Sequence, residues 1–183
     1  MRGLLARIAR RLKKPPNKVL FLIDWENFLS STALIPAEKF SLEAGLNRLI
    51  EKIVQETGAI VGVYVFLPPH LSSTWGETLR KQRFFIVLCP RTKNKTGEER
   101  DTVDEELIRL GSNLIKQIPE LTHLCLGSGD QDFVPLLQEA KHHGLKIALA
   151  SGSIQSLSTE LIPFAEKGPG GERKVYLLSP IKD

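Results

Sequence analysis

The sequence predicts an α/β protein built on a mostly parallel, doubly wound sheet, and three observations carry that reading. Six apolar runs of strand length recur: "KVLFLID" (18–24), "AIVGVYVFL" (59–67), "FFIVLCP" (84–90), "HLCLGSG" (123–129), "LKIALA" (145–150) and "KVYLLS" (174–179). Most are continuously apolar rather than alternating, as strands covered on both faces are. Segments of helical spacing lie between them, which gives the βαβ layout of a sheet with helices on both faces.

The chain opens on "MRGLLARIARRLKKPP", where Leu4, Leu5, Ile8 and Leu12 share one helical face and arginines and lysines take the other. Pro15 and Pro16 end this pattern and serve as a linker, so residues 1–16 read as a basic amphipathic arm and residues 17–183 as the domain. The arm lacks the apolar core of a secretory signal. It suits contact with nucleic-acid phosphates, a membrane surface, or docking on the domain itself. Of 25 basic residues, seven lie within residues 1–18, where there is no acid; the remainder holds 18 bases against 21 acids. The positive excess therefore belongs to the arm, and a whole-chain charge argument does not apply to the domain.

Beyond strand 18–24, residues 41–56 place Leu42, Leu46, Leu49, Ile50 and Ile53 at helical spacing. Strand 59–67 follows, then a weaker helical pattern over 72–82 and strand 84–90. The polar stretch "PRTKNKTGEER" sets Thr96 and Glu99 as a capping box for a helix over 98–117. Strand 123–129 leads to a helix over 131–142, which His142-His143-Gly144 stops. Residues 151–173 are rich in Ser, Gly and Pro and carry no clear element. No apolar run reaches the ~18 residues of a membrane span. Cys89 and Cys125 have no metal-ligand spacing and read as buried thiols of a cytoplasmic protein. Trp25 and Trp75 read as core or loop anchors, with base stacking as the alternative.

In open α/β sheets ligands gather beyond the carboxyl ends of the strands. Three groups of acids fall there. "FLIDWEN" delivers Asp24 at the end of the first strand, where capping of a following turn is the competing role. "GSGDQDF" offers Asp130 as a cap, but a cap needs one acid, and Asp132 is a second. Gly127-Ser128-Gly129 lacks the third glycine and the lysine of a phosphate-binding loop. In "RDTVDEEL" (100–107), a turn of about 100° per residue sets Asp104 inside the apolar arc of its helix and Asp101 at the margin. A carboxylate aimed inward is costly unless paired or bound to a metal, or it serves the helix dipole. Acids converging on one rim repel one another and hold protons unless positive charge intervenes. Carboxylate oxygens open to water select Mg²⁺ or Mn²⁺, ions that hold phosphate oxygens and activate water against a phosphodiester.

The segments "FLIDWENF", "VDEEL" and "GSGDQDFVPLLQEAKHHGLKIAL" together resemble the NYN domain family, a branch of the PIN-like metal-dependent nucleases, over about residues 18–160. The resemblance implies a Rossmann-like sheet of order 3-2-1-4-5 and a ribonuclease-type acidic site. Asp24, Asp104, Asp130 and Asp132 become its metal-holding acids. Asn27 becomes a polar partner that orients the site or substrate, and Ser128 a hydroxyl that orients a ligand or phosphate. Family members often carry a lysine or a neutral residue ahead of the middle acid; here Asp101 stands there, and it competes with Asp104 for that role. Arg91, Lys93, Lys95 and Arg100 are candidates to hold the RNA backbone, with a solvated loop as the alternative.

The expectation is thus a cytoplasmic, Mg²⁺- or Mn²⁺-dependent endoribonuclease with RNA as partner and a homodimer possible. A rival is an RNA-binding or scaffold module of the same fold that cleaves weakly or not at all. A phosphatase of the haloacid type would need an acid nucleophile with a second Asp two residues on, where this chain has Glu26.

Overall fold

The apolar runs become the strands they resemble. The computed structural model describes residues 16–33, 35, 41–93 and 99–178. The basic arm up to residue 15, and Lys95, lie outside the described residues. The strands are β1 (Lys18–Asp24), β2 (Ala59–Leu67), β3 (Phe85–Leu88), β4 (Thr92–Lys93), β5 (Glu99–Arg100), β6 (His123–Gly127), β7 (Lys146–Ser151) and β8 (Val175–Leu177). The helices are α1 (Trp25–Ser30), α2 (Leu42–Glu56), α3 (Pro69–Lys81), α4 (Val103–Gln117) and α5 (Val134–His142).

Six strands form one sheet in the order β3-β2-β1-β6-β7-β8, and β4 and β5 form a separate two-stranded ladder. Every neighbouring pair in the large sheet is parallel. Counting only its members, the order is the expected 3-2-1-4-5 with a sixth strand added beside the fifth. β1 lies between β2 and β6, so the chain reverses its direction of winding next to Asp24, and at such a reversal an open sheet offers a crevice.

Alternation along β1 divides the core. Val19, Phe21 and Ile23 pack with Phe28 of α1, Leu46, Leu49 and Ile53 of α2, and Leu79 of α3. Leu20 and Leu22 point the other way, into Leu107 and Ile115 of α4 and Leu136 and Leu137 of α5. Each fully buried side chain of this size stabilises the fold by roughly 1.5–3 kcal/mol. Gly111 lets α4 press onto the sheet, because a Cβ there would lie 2.8 Å from Cδ1 of Leu22. That contact sets the height of the whole helix, and with it Asp104, about two turns earlier.

Several boundaries differ from the sequence expectation. α3 begins at Pro69 rather than 72, because proline suits the first turn of a helix. α4 begins at Val103 rather than 98: Glu99 and Arg100 pair with Lys93 and Thr92 instead. The capping box of Thr96 and Glu99 is therefore not what starts this helix, since Glu99 is a strand residue. Oδ1 of Asp101 accepts from the amide of Val103 at 3.0 Å, while the hydroxyl of Thr102 donates to the carbonyl of Pro90 at 2.9 Å. The helix expected over 131–142 is a 3-10 turn, Gln131–Phe133, followed by α5, with Pro135 in the first turn of α5. Gly144 closes it at a φ of 77°, the left-handed stop that His142-His143-Gly144 announced.

Candidate functional site

Asp24 is the last residue of β1, and its parity with Leu20 and Leu22 delivers it on the side of α4. It is 6% exposed. The amide of Asn27 donates to its Oδ1 at 3.2 Å, so Asp24 caps α1 as the competing reading held. The hydroxyl of Ser128 donates to its Oδ2 at 3.3 Å. Burial pushes the Asp24 carboxyl up to about 7; the nearby charges of Asp104 and Asp130 add to this, and the two hydrogen bonds only partly offset it.

Asp130 arrives from the end of β6. Its amide donates to Oγ of Ser128 at 3.2 Å, and its Oδ1 accepts from the amide of Asp132 at 3.0 Å, capping the 3-10 turn. The amide of Gly129 donates to Oδ1 of Asn27 at 2.9 Å, tying this loop to α1. Asp104 projects from the first turn of α4 and is half-buried. Burial raises its carboxyl, and so do the charges of Asp130, Asp132, Asp101 and Glu105.

These residues surround a pocket of about 300 Å³, lined by Asp24, Asp101, Asp104 and Asp130 with Glu26, Asn27, Ser30 and Val103. None of these lining residues is basic. The pocket is thus a basin of negative potential at the carboxyl end of the central strand. Among the described residues, no three carboxylate, thiol or imidazole side chains stand together as a ready-made metal cage.

Three of the four acids singled out in the sequence, Asp24, Asp104 and Asp130, line this pocket. Asp132 is exposed and does not line it, although its charge reaches Asp104. Asp101 lines the pocket but is exposed, and its Oδ1 is engaged by the Val103 amide. Asn27 and Ser128 bind neighbouring loop and acid groups, so both act as connectors within the site. Arg91 and Lys93 are exposed on the way into the small ladder, and Arg100 follows in its return strand. Glu26 and Ser30 were not singled out as lining residues. Their signal was present: Trp25 and Phe28 are apolar at helical spacing, which puts Glu26 and Ser30 together on the opposite side of a short helix.

Trp25 is fully buried and stacks with Phe28, with Trp75 edge-on to it, so Trp25 anchors the core rather than a base. Cys89 and Cys125 are buried free thiols, and burial pushes Cys89 up to about 11.

The family model of the NYN domain matches residues 18–167. No curated protein matches. Among solved structures, a protein of unknown function from Vibrio parahaemolyticus aligns with a TM-score of 0.66 at 16% identity, over 85% of this chain and 93% of that one. That likeness bears on the fold alone. MurG of Acinetobacter baumannii aligns with a TM-score of 0.47 at 12% identity, over 90% of this chain and 47% of its own.

Proposed function

The chain belongs to the NYN domain family, whose model matches most of its length, and on that premise we propose that it is a metal-dependent endoribonuclease acting at the acidic pocket. One observation carries the reading: a buried carboxyl, Asp24, shares with Asp104 and Asp130 a pocket that no basic residue lines. Burying like charges together costs free energy that a bound cation offsets.

The donor set fits Mg²⁺ or Mn²⁺. All candidate ligands are hard carboxylate oxygens, and the nearby thiol, Cys89, is held protonated. Mg²⁺ keeps several waters and takes one or two carboxylates plus substrate phosphate, so it does not require three acids already in contact. Asp24, Asp104 and Asp130 would hold the ion, with Asp132 at the outer edge. When bound, the ion supplies positive charge to the phosphate oxygens and lowers the pKa of water. The protein's own part is placement. Ser128 holds one oxygen of Asp24 and the Asn27 amide holds the other, which fixes the plane of that carboxylate. Oδ1 of Asn27 holds Gly129 and so fixes the approach of Asp130. Arg91, Lys93, Lys95 and Arg100 would take the RNA backbone beside the pocket, and the arm of residues 1–16 would add sequence-independent affinity to the domain of residues 17–183.

A second reading, an RNA-binding module with little or no cleavage, is favoured by the lack of three converged ligands among the described residues. Mn²⁺-dependent cleavage of labelled single-stranded RNA separates the two. The wild type cleaves and Asp130→Asn does not; equal cleavage by both, or none by either, overturns the nuclease reading. No described helix is long and apolar enough to cross a membrane.

A further inference from the structure

Asp24 ends β1 and Asp130 lies in the loop after β6, and the distance between them depends on what joins α1 to that loop. One link is direct, from the Gly129 amide to Oδ1 of Asn27 at 2.9 Å. A second runs behind the site through residues 151–158, from the last residue of β7 onward. Ser31, at the end of α1 and 2% exposed, accepts from the Gly152 amide at 2.6 Å while its hydroxyl donates to the Phe28 carbonyl at 2.6 Å. The Ser158 amide donates to the Gly129 carbonyl at 2.9 Å. The links close a ring: α1, Ser31, Gly152, Ser158, Gly129, Asn27, and back to α1.

Both glycines of this ring are dictated by close approach. A Cβ on Gly129 would lie 1.7 Å from the Ser156 carbonyl oxygen, and one on Gly152 would lie 2.5 Å from the Ser31 carbonyl oxygen. The segment that follows Gly152 is itself held in shape. The hydroxyls of Ser153 and Ser156 bond at 2.9 Å, the Leu157 amide donates to the Ile154 carbonyl at 3.2 Å, and Leu157 and Leu161 are buried. A ring of short hydrogen bonds with no room for a methyl group at two of its joints transmits displacement rather than absorbing it.

We infer that residues 151–158 form a brace and that Ser31 is a positioning residue, setting the Asp130 loop relative to Asp24 from behind the pocket. Neither Ser31 nor the brace lines the pocket, so the effect passes through Gly129 and Asn27. Its bearing on cation binding rests on the function proposed above; its bearing on the loop does not.

The test uses the full chain, with Ser31→Ala and Gly152→Ala against Thr32→Ala as control. Thr32 makes an equivalent bond at the end of the same helix, where its hydroxyl donates to the Leu29 carbonyl rather than facing Gly152. Amide exchange by NMR and Mn²⁺ affinity by calorimetry are read on each. In Ser31→Ala and Gly152→Ala, exchange at Gly129 rises about 10-fold or more while Leu22 and Leu124 stay protected, and Thr32→Ala leaves Gly129 unchanged. Mn²⁺ affinity falls about 10-fold in the first two variants only. Unchanged exchange at Gly129, or an equal rise at Gly129, Leu22 and Leu124, overturns the brace. A wild type that takes up no Mn²⁺ overturns the metal reading instead, and the exchange data alone then decide the brace.

Discussion

The hydroxyl of Ser128 donates a 3.3 Å hydrogen bond to Oδ2 of Asp24, joining residues at the carboxyl ends of two adjacent strands. This bond is one of two that draw the Asp24 carboxyl down against burial and like charge. Without it the proton binds more tightly and competes better with a cation. Ser128→Ala should therefore weaken Mn²⁺ binding at neutral pH by about 10-fold. The loss should shrink at about pH 9, where Asp24 is ionised in either protein. Calorimetry at the two pH values checks this, and a loss that does not depend on pH contradicts it.

Asp24 also links stability to pH. Its folded carboxyl sits at about 7 against an ordinary value of 3.8, so between those values the folded state binds a proton that the unfolded chain has lost. Stability from this group is complete below about pH 4 and declines as pH rises towards 7, by up to about 4 kcal/mol. The buried His123 works in the opposite sense, because burial lowers its pKa. The informative quantity is therefore the difference between wild type and Asp24→Asn, in which His123 cancels. Denaturant melts of the metal-free proteins should show Asp24→Asn gaining on wild type from pH 4 to 7, and saturating Mn²⁺ should return stability to wild type only.

The acids should not weigh equally. Asp24, Asp104 and Asp130 line the pocket and Asp132 does not. Replacing any of the first three by Asn should lower kcat/KM on single-stranded RNA by about 100-fold or more, as loss of charge stabilisation at the reacting phosphate does. Asp132→Asn should cost under about 10-fold, through its weaker field at Asp104. Asp101→Asn should behave like Asp132→Asn, because an asparagine can still cap Val103. Steady-state kinetics with Mn²⁺ rank the five variants. A Asp101→Asn loss as large as that of Asp104→Asn would move the middle acid of the site to Asp101.

What the sequence made legible was the part decided by periodicity. Continuous apolar runs announced the buried parallel strands, and the arc from Val103 to Ile115 aimed Asp104 inward. What stayed hidden was decided by single hydrogen bonds between distant segments. Nothing local says that Thr102 will reach the Pro90 carbonyl and delay α4, or that Gly152 will donate to Ser31 across 121 residues. Asp132 illustrates the same limit. As a second acid beyond the one a cap needs it called for another role, and the family resemblance implied metal binding; the 3-10 turn that Asp130 caps leaves it exposed.

The ladder of β4 and β5 connects the end of β3 to the start of α4, and Thr92 pairs with Arg100, next to the pocket-lining Asp101. Lys93 is exposed one residue further along. A lysine there is placed to neutralise a phosphate of a strand entering the pocket, a contact that carries no sequence information. Lys93→Ala should therefore weaken RNA binding to a similar degree for different sequences and leave kcat unchanged. It should also reduce the slope of log affinity against log salt by about 0.7, the release expected for one phosphate of a single strand. Fluorescence anisotropy across a salt series measures that slope directly. An unchanged slope would remove Lys93 from the RNA path, and a fall in kcat with the slope intact would place it at the chemistry instead.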